Sequence, residues 1–277
     1  MAELQRIVNA EQAKEQAEYL AALKELLFQM ADDDLMIAYR GSEWLGLAPH
    51  IEEDVAFSSM SQDTMGHAVM FYTLLEELGA GKADDLAQLR DSAEFRNTIL
   101  VERANGTGNY MVNPHFDWAY SIVRFYLYDL FKLVRLEVLS QCSYIPLAQV
   151  SRKMLTELNY HLMHWRVWIK QLANSTEDAR ERLMAALEKV NADIGDAFKL
   201  GPMADAIIRH GLMIPEKEIR ERWERKANEA FHACGINWTK PAESPQLEGR
   251  AGQHTEDCVD AVRTLSEVYR LDPATSW

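Results

Sequence analysis

The chain has 277 residues, 48% hydrophobic and 26% charged, with only 13 glycines and 8 prolines. That balance excludes a disordered or collagen-like chain and suits a helical globular protein. A net charge of −14 with a pI near 5.0 argues against nucleic-acid binding, because such a surface repels phosphate.

Met1 to Gln16 is charged and alternating, without the apolar core of a signal peptide. No stretch reaches 18 uncharged apolar residues, so no membrane span is expected. Cys142, Cys234 and Cys258 are dispersed and form no Cys-x-x-Cys pair. They read as free, buried structural thiols in a reducing cytoplasm.

Strong helix formers predict a helix from Glu11 to Met30. Asp32, Asp33 and Asp34 then read as the acidic start of a second helix, Leu35 to Leu47. Pro49 opens a third, from about Ile51 to Leu78, ended by Gly79 and Gly81. Residues 82–113 read as a loop with a short helix around Leu86 to Glu94, and Asn105 to Asn109 as a turn cluster. Pro114 starts a helix running from about Phe116 to Gln141, and Pro146 opens one to about Ala173. Ser175 with Asp178 caps a further helix to about Lys199, Glu216 to Ala233 is helical, and a last helix runs from about Glu256 to Arg270. No strand and no repeat is evident. The fold class is therefore all-α, a bundle.

Four of these helices carry polar groups where apolar ones belong. They are Glu43 in Gly41-Ser42-Glu43-Trp44, Asp63 and His67 in Gln62-Asp63-Thr64-Met65-Gly66-His67, Asp129 in the aromatic run Phe125 to Phe131, and Glu157 and His161 in Glu157-Leu158-Asn159-Tyr160-His161. Burying a carboxylate costs several kcal/mol unless it is paired or metal-bound. Lys132 stands one turn from Asp129 and offers it an ion pair, so a purely structural role is as open for Asp129 as a ligand role. Either histidine alone is more simply a core histidine.

Together the four helices follow the order of a ferritin-like di-iron site, which takes a carboxylate from each of two helices and a Glu-x-x-His pair from each of two others. Glu43, His67, Asp129 and His161 are thus candidate metal ligands, in that order. Three residues before each histidine stand Thr64 and Leu158 instead of glutamate. Asp63 and Glu157, four residues before, lie about 100° round the helix and are auxiliaries at most. The set reads as a vestigial or variant site that lacks its bridging carboxylates.

Those stretches, with Cys142-Ser143-Tyr144, Gly252-Gln253-His254-Thr255-Glu256 and a final Trp277, resemble the A and C subunits of the bacterial phenylacetyl-CoA epoxidase complex over about residues 34–277. The resemblance implies one ferritin-like domain over 1–277, with a core bundle at about 34–173 and extra helices at about 11–30 and 176–270. The ending is most like the non-catalytic C subunit. It implies a structural subunit of a ring-epoxidising oxygenase, in the cytoplasm. Its implied partners are a di-iron A-type subunit, a further small subunit and an NADPH-dependent flavin and iron–sulfur reductase, with the aryl-CoA substrate held mainly by the catalytic partner. No cofactor is then expected in this chain. Two alternatives stay open: a metal-dependent oxygenase in its own right, with iron at Glu43, His67, Asp129 and His161, and a helical protein with a hydrogen-bonded polar core and no partner.

Two further motifs read as structural. Thr255 in His254-Thr255-Glu256 reads as a helix cap, not part of a ligand pair. Arg220, Arg222, Arg225 and Lys226, interleaved with Glu218, Glu221, Glu224 and Glu229, read as an ion-paired solvated face rather than an anion-binding patch.

Overall fold

A computed structural model describes residues 6–242 and 245–275; Trp277, which is part of the ending similar to the family's C-type chains, lies outside the described residues. The helices are α1 (Ala10–Lys14), α2 (Ala17–Ser42), α3 (Ile51–Glu77), α4 (Ala83–Gln88), α5 (Ile99–Glu102), α6 (Trp118–Leu139), α7 (Ile145–Asn174), α8 (Glu177–Asp193), α9 (Ala204–Arg209), α10 (Glu216–His232) and α11 (Glu256–Ser266). The all-α expectation holds.

Four long helices, α2, α3, α6 and α7, form the central bundle. Tyr72 reaches Asp32 while Gly41 packs on Ser61, so α2 and α3 run antiparallel. Trp165 reaches Asp129 and Arg152 reaches the Ser140 carbonyl, so α6 and α7 do as well. The chain crosses from α3 to α6 through residues 78–117, the single long crossover of ferritin-like bundles. Pro146 sits in the first turn of α7, as its fixed φ favours. Nearly all of α6 is buried, because α7, α8 and α10 pack around it and complete its apolar surroundings. At Gly41 a β-carbon would run into the Ser61 side chain, so glycine permits the close approach of α2 to α3.

The acidic triple corrects one expectation. Asp32, Asp33 and Asp34 do not start a helix; they lie buried in the middle of α2, which runs unbroken from Ala17 to Ser42. Successive helical residues point about 100° apart, and each carboxylate finds its own cation. Asp32 is bound by Arg90 (Nη1 to Oδ2, 3.0 Å), Asp33 by Arg250 (2.7 Å) and Arg135 (3.4 Å), and Asp34 by Lys132 (2.8 Å). Arg90 comes from the crossover and Arg250 from the C-terminal segment, so α2 is the hub that ties both to the bundle.

The crossover also holds an unexpected hairpin, β1 (Gly106–Asn109) paired antiparallel with β2 (Val112–Phe116). Gly-Thr-Gly-Asn lacks the apolar alternation that marks a strand, and Pro114 lies inside β2 instead of opening α6. Asp117 caps α6 through its side chain, accepting from the Tyr120 N–H. The cap of α8 falls on Thr176, one residue after Ser175.

Candidate functional site

The polar groups of the bundle centre come from α2, α3, α6 and α7, as the amphipathic spacing requires. Asp63 and His67 stand one turn apart on α3, Asp129 and Lys132 on α6, and Glu157 and His161 on α7. The antiparallel seam between α3 and α7 sets two crossed contacts. His67 Nε2 lies 2.6 Å from Glu157 Oε2, and His161 Nε2 lies 3.2 Å from Asp63 Oδ2. His164 and Glu53 extend the seam at 2.9 Å.

Lys132 occupies the middle. It is 2% exposed, and its ammonium lies 2.8 Å from Asp34 Oδ2 and 2.8 Å from His67 Nδ1. An ammonium has only donors to offer, so His67 Nδ1 is the acceptor and its proton sits on Nε2, directed at Glu157. Burial and the neighbouring Lys132 charge push the His67 pKa far down, so this imidazole is neutral. Asp34 also accepts from the Tyr128 hydroxyl (2.7 Å). The result is one chain of contacts across four helices: Asp34, Lys132, His67 and Glu157.

Asp129 stands apart from that chain. The expected ion pair with Lys132 is not its contact; the Trp165 indole N–H donates to it at 2.7 Å, and His161 Nδ1 lies 3.9 Å away. Burial pushes its pKa up to about 7. His161, desolvated in the same wall, is held down at about 4.

Of the four ligand candidates, the structure brings His67, Asp129 and His161 into the bundle centre and leaves Glu43 out. Glu43 is the C-cap of α2, nine residues past Asp34 and so about 13 Å further along the helix. Its carboxylate is held by Arg40 (3.2 Å) and Asn105 (2.8 Å), where it anchors the start of the hairpin. The α2 carboxylate that faces the centre is Asp34. Thr64 donates to the Met60 carbonyl (2.8 Å), and Leu158 is fully buried.

These residues do not fit a paired-metal centre. Two cations held a few ångströms apart need bridging carboxylates. Here the bridging positions are a hydroxyl tied to its own helix and a leucine, and a lysine ammonium already neutralises Asp34. Asp63 and Glu157, the auxiliaries, face the histidines from the partly exposed rim, at 47% and 35% side-chain exposure.

Asp34 is absent from the candidate set that the sequence offers, and Lys132 pairs with Asp34 rather than with Asp129. A usable signal was present: three consecutive aspartates flanked on both sides by unbroken helical periodicity. Thr255 likewise occupies the N-cap position of α11 without capping it, since its hydroxyl and N–H both donate to Glu102. On α10, Arg220 pairs with Glu224 at 2.8 Å as expected, while Lys226 reaches across to Glu137 of α6 at 3.0 Å.

Comparison with known proteins agrees with this architecture. The family model for phenylacetic acid catabolic proteins matches residues 3–277. The C subunit of the 1,2-phenylacetyl-CoA epoxidase of Escherichia coli (strain K12) is 27% identical over 250 residues, 90% of this chain and 96% of that relative.

Proposed function

The chain belongs to the phenylacetic acid catabolic protein family, and we propose that within it this protein is a structural, non-catalytic subunit of a ring-epoxidising oxygenase of phenylacetyl-CoA type. The observation that carries this reading is Lys132. Its ammonium holds Asp34 and His67 at 2.8 Å each, a fixed cation at the heart of the bundle in place of a redox metal. His67, Asp129 and His161, with Asp34 as the inward carboxylate of α2 in place of Glu43, are then the remnant of a ligand set, and no resident cofactor of the chain's own is assigned there.

The proposed partners are a di-iron A-type homologue, a further small subunit and an NADPH-dependent flavin and iron–sulfur reductase, with the aryl-CoA held mainly by the catalytic partner. The likeness to a named epoxidase subunit supports an assembly. Among the described residues no helix is long and apolar enough to cross a membrane, and the proposed location is the cytoplasm. The outer faces of α3 and α7 carry exposed apolar side chains: Val55, Val69, Tyr160, Met163 and Val167 are each more than half exposed. Exposed apolar surface marks interaction sites, and these outer faces are proposed to meet the catalytic homologue.

Anaerobic loading of the purified chain with Fe(II), followed by desalting, tests the reading. The expected result is no iron whose retention depends on His67. Two irons per chain, lost in His67→Ala, would mean that the centre is an oxygenase site.

A further inference from the structure

A second cluster lies away from the bundle centre, where the C-terminal segment meets α5. Glu102 ends α5, while His254 and Cys258 flank the start of α11, four residues apart. His254 Nδ1 lies 2.7 Å from Glu102 Oε2, and ligand atoms of Glu102, His254 and Cys258 all fall within 4.8 Å of one another. Glu102 and Cys258 are fully buried, and the His254 side chain is 3% exposed.

The surroundings aim these groups inward. His254 Nε2–H donates to the Phe95 carbonyl at 3.1 Å, which leaves Nδ1 to face the cluster. A ring nitrogen fixed by a carbonyl is how metal-bound histidines are usually oriented. Asn97 donates from its amide nitrogen to Glu102 (2.9 Å) and to the Thr98 carbonyl (3.1 Å), so its oxygen turns toward Cys258. That oxygen accepts from the Cys258 thiol at 4.0 Å, a long and weak contact. Thr255 secures the other oxygen of Glu102 through its N–H (2.7 Å) and hydroxyl (2.8 Å).

We propose that Glu102, His254 and Cys258 form a binding site for one divalent cation of the Zn²⁺ type. Carboxylate oxygen, imidazole nitrogen and thiolate sulfur are the three donor classes zinc accepts. Ligands at roughly 2.0–2.3 Å from an ion stand about 3.3–3.8 Å apart in a tetrahedron, a spacing the cluster brackets and small side-chain adjustments reach. On binding, a divalent cation displaces the thiol proton, giving carboxylate, thiolate, neutral imidazole and a 2+ ion, a buried cluster with no net charge. The ion would clamp the start of α11 to α5, joining residues far apart in the chain.

Cobalt(II) is the probe, because a thiolate ligand gives it a charge-transfer absorption. The full-length chain should retain about one Co²⁺ per molecule with that absorption, and loading should release protons in weak buffer. Cys258→Ser should lose the absorption and His254→Gln should weaken binding at least about tenfold, while His67→Ala and the double variant Cys142→Ser/Cys234→Ser should keep both. If Cys258→Ser does not fold, the double variant and the proton count still decide. Absence of the thiolate absorption in the wild type, its loss in the double variant, its persistence in Cys258→Ser, or loading without proton release would overturn the proposal.

Discussion

The Lys132 ammonium lies 2.8 Å from Nδ1 of His67, joining a lysine of α6 to a histidine of α3 in the buried centre of the bundle. Because Lys132 also holds Asp34 at 2.8 Å, removing it strands a buried carboxylate. Lys132→Met should cost about 3–5 kcal/mol of stability, read from urea unfolding. Asp34→Asn combined with Lys132→Met should recover much of that loss. Simple addition of the two single costs would show that the residues do not act as a pair.

The same reasoning separates buried from exposed arginines. Arg250 is fully buried against Asp33, so Arg250→Met should cost about 3–5 kcal/mol and loosen the C-terminal segment. Arg222 pairs with Glu218 at the surface, with side chains 36% and 45% exposed, and Arg222→Met should change stability by less than about 1 kcal/mol. Parallel denaturation curves check the contrast.

Asp129 gives a pH signature. Its folded pKa is raised to about 7, above an unfolded value of about 3.9. Between those values the folded state binds a proton that the unfolded state releases, so this group's contribution falls as pH rises through the window. Asp129→Asn mimics the neutral acid and should gain stability relative to wild type from about pH 4 to pH 7. His161, held at about 4 against an ordinary value of 6.5, acts in the opposite sense, favouring the folded state as pH rises, so only the difference between wild type and variant isolates Asp129. Thermal melts across that range would show it; a constant difference would contradict it.

Met163 and Val167 face outward on α7 at 61% and 64% exposure. Met163→Glu with Val167→Glu should leave the chain's own melting temperature within a few degrees of wild type. Co-purification with a catalytic homologue should drop at least about tenfold if α7 is the docking face. Undiminished association would move the interface elsewhere.

The helical framework was legible because long apolar periodicities and Pro49 and Pro146 mark it from within each segment. What crosses between segments was not. Spacing along α3 and α7 placed His67 and His161 correctly on inward faces, but only the packing of α2 against α3 and α6 decides that Asp34, not Glu43, faces them. Asp32 to Asp34 imitated a helix start because acidic residues there and acidic residues awaiting buried cations look alike in one dimension. The hairpin from Gly106 to Phe116 rests on backbone pairing, with no alternation to announce it. Glu102 meets His254 across more than half the chain, which no local pattern encodes.

On the proposed reading, this chain supports chemistry done elsewhere. The most direct measurement is turnover of phenylacetyl-CoA by a reconstituted complex containing wild-type chain or His67→Ala, with assembly checked by gel filtration. The account predicts a lower melting temperature for the variant, because the Lys132 and Glu157 contacts are lost, and turnover within a few-fold of wild type. Turnover abolished in a fully assembled complex would contradict it and place His67 in the reaction.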